Sequence, residues 1–160
     1  EPFFTFIENA LAKARHAAQV TGLPAIADDA GLCVDAFGGL PGVDTAYYAT
    51  QFDYEKGDVN NVRALLEQMK GQAQRRAALV STLVAVRHAR DPEPLVAVGR
   101  AVGQITEAPI GNGGFGFDPV MLLPEWGMTF AQMSPEQKNQ LSHRGQAARQ
   151  MAQLLQERWR

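Results

Sequence analysis

The sequence lacks most of what would place it outside the ordinary globular class. It holds one cysteine, Cys33, so no internal disulfide can form. No apolar run reaches the roughly 20 residues that span a bilayer, which argues against a membrane helix. Charge of one sign is not in excess: 15 basic against 17 acidic residues leave a formal charge of −2. Neither a nucleic acid polymer nor an anionic membrane is attracted in bulk by that balance. Any phosphate must therefore be held locally. There is no signal-like start, low-complexity tract or internal repeat, so a cytoplasmic location is expected. The initiator Met is also missing, and the chain opens at Glu1 almost directly on a helix pattern, as a fragment would. The P-loop pattern G-x-x-x-x-G-K-[ST] does not occur. What remains, 46% apolar and 20% charged residues over 160 positions, suits one folded domain.

Periodicity supplies the elements. Thr5-Phe6-Ile7-Glu8 is a capping box, and Ile7, Ala10, Leu11, Ala14, Ala17 and Ala18 share one face of a helix that Gly22 and Pro24 stop. Those small alanines predict close packing on a sheet. Ala25-Ile26-Ala27 is a short strand ending at Asp28-Asp29-Ala30-Gly31, after which Leu32-Cys33-Val34 and Ala36-Phe37 resume the pattern. Gly38 to Gly42 must be a loop, placed at the rim of a site. Asp58 can cap a helix to Met69 that buries Val59, Val62, Leu65, Leu66 and Met69. Arg75 to Ala89 and Leu95 to Thr106, joined by Arg90 to Pro94, predict a long antiparallel hairpin. A glycine-rich loop, Gly111 to Pro119, leads into the strand Val120 to Leu123. Ser134 and Ser142 then cap two C-terminal helices, the second running to about Trp159 with Ala148, Met151, Ala152, Leu155 and Trp159 on its apolar face. Helices interleaved with strands and a hairpin predict an α/β fold with a mixed sheet.

Three groups of residues could carry chemistry. Adjacent carboxylates Asp28 and Asp29 are oxygen donors of the kind a hard divalent cation prefers, though the dipeptide equally suits a solvated turn. Lys138, His143 and Arg144 gather nitrogen donors around two helix N-termini suited to an anion, or form a basic surface turn. Gly111 to Gly116 formally matches G-x-G-x-x-G, but it leads into a strand rather than a helix, which excludes a dinucleotide fingerprint. Phe115 and Phe117 in that loop could stack on a purine or pack in the core, and Asp118 could accept a hydrogen bond. Cys33, in an apolar strand, reads as packing rather than a nucleophile, and His16 and His88 have no partners at ligand spacing.

Four stretches, taken together, resemble the inosine triphosphate pyrophosphatase family, also described as dITP/XTP or non-canonical purine NTP pyrophosphatases. They are Thr5 to Ala10 with Lys13-Ala14, Pro24 to Leu32, Gly113 to Pro119, and Lys138-Asn139 with Ser142-His143-Arg144-Gly145. The resemblance covers essentially the whole chain as one domain, residues 1–160, N-terminally incomplete against the family pattern. It implies a homodimer and a Mg²⁺-dependent attack by water on ITP, dITP or XTP that releases pyrophosphate. By position, Asp29 is implied as general base and metal ligand, with Asp28 in support. Ala30, Phe115, Gly116, Phe117, Asp118, Lys138, His143 and Arg144 are implied as substrate contacts. Ala30 stands where the family usually has Ser, and Phe117 where Tyr is usual. The family's opening strand and Thr-Gly-Asn-x-x-Lys phosphate loop are not in this sequence, and Glu1 falls near a further acidic ligand without a fixed register. The alternatives are a chain that binds nucleotides or dimerises without turnover, and a pyrophosphatase for pyrimidine or modified nucleotides. An exposed sheet edge, with reduced stability or dependence on a dimer, is a further expectation.

Overall fold

The computed structural model describes residues 2–159, so the expectation attached to Glu1 lies outside the described residues. Helix α1 (Phe6–Thr21) starts where the capping box predicts, with the Thr5 hydroxyl accepting the Glu8 amide at 3.2 Å. Ala10, Ala14 and Ala18 are buried, and their short side chains let the helix settle on Val84 and Val86. Ile7 departs from the expected face and is exposed, because it sits in the first turn, ahead of the buried run that begins at Asn9.

Strand β1 (Ala25–Val34) runs unbroken through Asp28 and Asp29, which the sequence reading placed at a strand end. It pairs antiparallel with β2 (Arg76–Val86), in register from Ala25 opposite Val86 to Val34 opposite Ala77. The predicted hairpin is present as β2 and β3 (Leu95–Ile105), and β4 (Met121–Leu123) and β5 (Met128–Thr129) complete the order β1-β2-β3-β4-β5. Helices flank this sheet, as expected of the class. The expected mixed pairing is not found: every pair among the described residues is antiparallel. The reason lies in the long connection from β1 to β2. It contains a helix, yet returns the chain alongside β1 in the opposite sense instead of crossing over.

That connection comprises a 3₁₀ segment, Gly42–Phe52, which the sequence did not announce, and α2 (Asp58–Gln68). Buried Asn61 ties the two, accepting the Ala49 amide at 2.8 Å and donating to the Ala46 carbonyl at 3.2 Å. Gly57, not Asp58, is the N-cap of α2, and Val59 is 74% exposed where burial was expected. Val62, Leu65 and Met69 do enter the main core with Leu32, Val34, Leu79 and Phe130.

The last two helices are α3 (Pro135–Leu141) and α4 (His143–Arg158), capped by the Ser134 and Ser142 hydroxyls. The expected apolar face of α4 is present at Met151, Leu155 and Trp159, which join one core cluster, and departs from expectation at two alanines. Ala147 and Met151 are buried, while Ala148 and Ala152 are exposed. Close contact with β3 turns Ala147 inward, since a Cβ on Gly99 would run into the His143 carbonyl oxygen and the Ala147 amide. The sheet thus has α1 on one face, and the main core together with α4 on the other. No helix among the described residues is long and apolar enough to cross a membrane.

Candidate active site

Strand alternation decides what the adjacent carboxylates can do. Asp29 points to the α1 face and is 6% exposed; Asn9 Nδ2 donates to its Oδ2 at 3.2 Å and Lys13 Nζ lies 3.9 Å from Oδ1. Asp28 points to the opposite face, where Arg144 Nη1 is 3.4 Å from its Oδ2. The turn reading is therefore excluded, and so is chelation of one ion by both carboxylates from the same side. Among the described residues β1 stands at one end of the sheet order.

On the second face, the glycine-rich loop presents one ring and buries the other. Phe115 is 58% exposed, whereas Phe117 is 4% exposed and belongs to the main core. Stacking on a flat base is thus open to Phe115, and Phe117 supports the loop from below. Asp118 organises the turn: its Oδ2 accepts the Phe115 amide at 3.0 Å and the Lys138 ammonium at 2.5 Å. Gly114, in the left-handed region at φ 71°, is required here, since a Cβ would strike that same carboxylate. The ammonium of Lys138 also sits 4.1 Å from the Phe115 ring centroid, a cation–π distance. Lys138 is thus engaged by Asp118 and lies over Phe115 in this structure.

His143 is buried at the first position of α4, and its Nδ1 has no hydrogen-bond partner. Burial, followed by the positive charges of Arg144 and Lys138, depresses its pKa to about 4, so the imidazole is neutral at pH 7. A neutral ring offers one donor and one acceptor. His143, Arg144, Ala30, Phe115, Gly116, Phe117 and Asp118 all border one cavity of about 170 Å³, together with Thr45 and Asp58. A second cavity of about 230 Å³ holds Asp28, Arg144 and buried Ser81, which lies directly opposite Ala30 in the sheet. Cys33 is only partly buried, but burial pushes its thiol pKa up, which does not favour a nucleophile.

Asn9, Thr45, Asp58 and Ser81 were not among the site residues expected from the sequence. Asn9 and Lys13 did carry a signal, a polar pair at i and i+4 beside the alanine face of α1. Nothing local marks the other three, since each joins the site through a contact distant in sequence.

The profile of the Ham1 family matches residues 1–154. The chain belongs to the Ham1 family. It is 72% identical over 159 residues to a dITP/XTP pyrophosphatase of Paracidovorax citrulli, covering 99% of this chain and 80% of that protein. A dITP/XTP pyrophosphatase of Verminephrobacter eiseniae is 73% identical over the same span and shares. Among solved structures, a HAM1 protein from Coxiella burnetii superimposes with a TM-score of 0.93 at 39% identity, covering 98% of this chain and 79% of that one.

Proposed function

We propose that this Ham1-family chain hydrolyses the non-canonical purine nucleoside triphosphates ITP, dITP and XTP to the monophosphate and pyrophosphate, removing them from the nucleotide pool. The observation that carries this reading is the division of labour between the two faces of β1. A buried carboxylate, Asp29, lies on one face, and an open aromatic ring beside a neutral histidine and an arginine lies on the other. The names of the relatives in Paracidovorax and Verminephrobacter support the same substrate class.

In this reading the base stacks on Phe115, and the donor and acceptor of neutral His143 face its polar edge. A wrong base would leave a buried nitrogen unpaired, a penalty of about 1–3 kcal/mol that supports discrimination. Arg144, on the same face as Asp28, neutralises phosphate oxygens. Asp29 accepts a proton from the attacking water and would serve as metal ligand, with the Asn9 amide holding its carboxylate in place.

The donor set fits Mg²⁺ of one kind. No group of three or more His, Cys, Asp or Glu gathers among the described residues, so an all-protein cage is not offered. Mg²⁺ is commonly bound through one or two carboxylates, waters and the phosphates of the substrate itself, and Asp29 can supply such a carboxylate. Bound there, the ion would offset phosphate charge. A cytoplasmic homodimer completes the proposal. The outward valines Val96, Val98 and Val102, on the face of β3 that α1 leaves uncovered, support self-association.

The decisive experiment is pyrophosphate release by the purified chain from ITP, XTP, dUTP and GTP, with Mg²⁺ and with EDTA. Turnover of ITP and XTP with Mg²⁺, lowered about 10²-fold or more in Asp29→Asn, is expected. Release of phosphate alone, or preference for dUTP, would overturn the assignment.

A further inference from the structure

We propose that Asp58 is a positioning residue for the recognition loop, holding Phe115 at the height a purine base needs; this rests on the reading of that loop as the base-binding element. Asp58 is the first residue of α2, and Gly57 takes the cap position, so the carboxylate has no capping bond of its own. Instead its Oδ2 accepts the Gly116 amide at 2.9 Å, across 58 positions of sequence. One residue earlier, the Phe115 amide donates to Asp118. Two consecutive amides are thereby held by carboxylates from separate parts of the fold.

The space behind the loop makes this bond matter. A cavity of about 500 Å³ separates α2 from the loop, bordered by Val59, Val62 and Leu66 on one wall and Gly114, Phe115 and Gly116 on the other. Packing does not fill that side, so polar tethers must resist collapse of the loop into it. Asp58 borders both this cavity and the 170 Å³ cavity in front, and its bond to Gly116 stands at their partition. The tether also has a firm base. Asn61 fixes α2 to the 3₁₀ segment, and there the Thr45 hydroxyl accepts the Leu32 amide of β1 at 2.8 Å. The height of Phe115 is thus referenced to the strand that carries Asp29 and Ala30.

A tether that sets ring position for binding, and takes no part in chemistry, acts on KM and spares kcat. Asp58→Ala should raise KM for ITP on the order of tenfold, the scale of one hydrogen bond to a charged acceptor, with kcat changed by less than about twofold. Asp58→Asn should restore KM to within about threefold, because the amide oxygen still accepts. Exchange of the Gly116 amide, followed by NMR, should accelerate in Asp58→Ala and not in Asp58→Asn, while both variants unfold cooperatively. An unchanged KM in Asp58→Ala, a loss confined to kcat, or unaltered Gly116 exchange would overturn the proposal. If the unsubstituted chain turned over no purine triphosphate, the functional reading would fall, and Gly116 exchange alone would decide whether the tether exists.

Discussion

Removing the Lys138 charge tests whether the glycine-rich loop is held by a buried ion pair. The Lys138 and Asp118 side chains are 20% and 5% exposed, with 2.5 Å between ammonium and carboxylate. In Lys138→Met the stem that lies over Phe115 keeps its apolar contact, but Asp118 is left buried with the Phe115 amide as its remaining bond. Stranding one member of a buried pair costs about 3–5 kcal/mol, and the partial exposure of Lys138 lowers the expectation to about 2–4. For a domain of this length that corresponds to a fall in Tm of roughly 4–16 °C. The reverse substitution, Asp118→Asn, should cost less. The amide oxygen can still accept from Phe115, and the long lysine stem can carry its ammonium out to water. The double variant strands neither charge, so it should be more stable than the sum of the singles implies, by about 1–2 kcal/mol. Urea denaturation of the four proteins at pH 7 measures each term. A Lys138→Met cost below about 1 kcal/mol, an Asp118→Asn cost above it, or strict additivity would refute the argument.

Two further outcomes follow from the same site and surface. Because the His143 pKa is lowered to about 4 in the fold, the unfolded chain binds more protons between pH 4 and 6.5. Its contribution to stability is complete above about pH 6.5 and is lost on acidification toward pH 4, to a total of about 3 kcal/mol. Urea midpoints from pH 4 to 7.5 should therefore fall more steeply in the parent than in His143→Gln; equal slopes would show that His143 is not held neutral by burial. The proposed homodimer should sediment at twice 17.4 kDa at micromolar concentration, and Val98→Lys, on the uncovered face of β3, should shift it toward monomer. A parent that sediments as a monomer would remove that assignment.

How far the sequence could be read depended on whether local chemistry decided each element. The caps at Thr5, Ser134 and Ser142 and the hairpin of β2 and β3 were legible, since a hydroxyl three residues from an amide and a period of two are local facts. The antiparallel order was not, because nothing between Val34 and Arg76 says which way the chain returns. Asp28 and Asp29 read as a strand end because two successive carboxylates oppose burial on one face. They persist within β1 because they divide between two faces, and each meets a helix, Asn9 and Lys13 from α1 or Arg144 from α4. A similar ambiguity misplaced the alanines of α4, while Met151, Leu155 and Trp159 lie where expected. Alanine occupies 147, 148 and 152, so side-chain size could not select which faces inward, and close approach to Gly99 of β3 did.

The candidate site was legible as a set of residues but not as an arrangement. Lys138 and His143 lie five positions apart in sequence, yet one is bound to Asp118 and the other is buried with an unpartnered nitrogen. Phe115 and Phe117, two positions apart, are divided between solvent and core. Backbone direction at single residues produces these separations, and that direction is set by distant contacts such as Asp58 with Gly116. Asp118 orients the glycine-rich loop from within its motif and Asp58 from outside it, and under the proposed function substitutions at Asp58 or Asn61 should alter substrate recognition while leaving every motif residue in place.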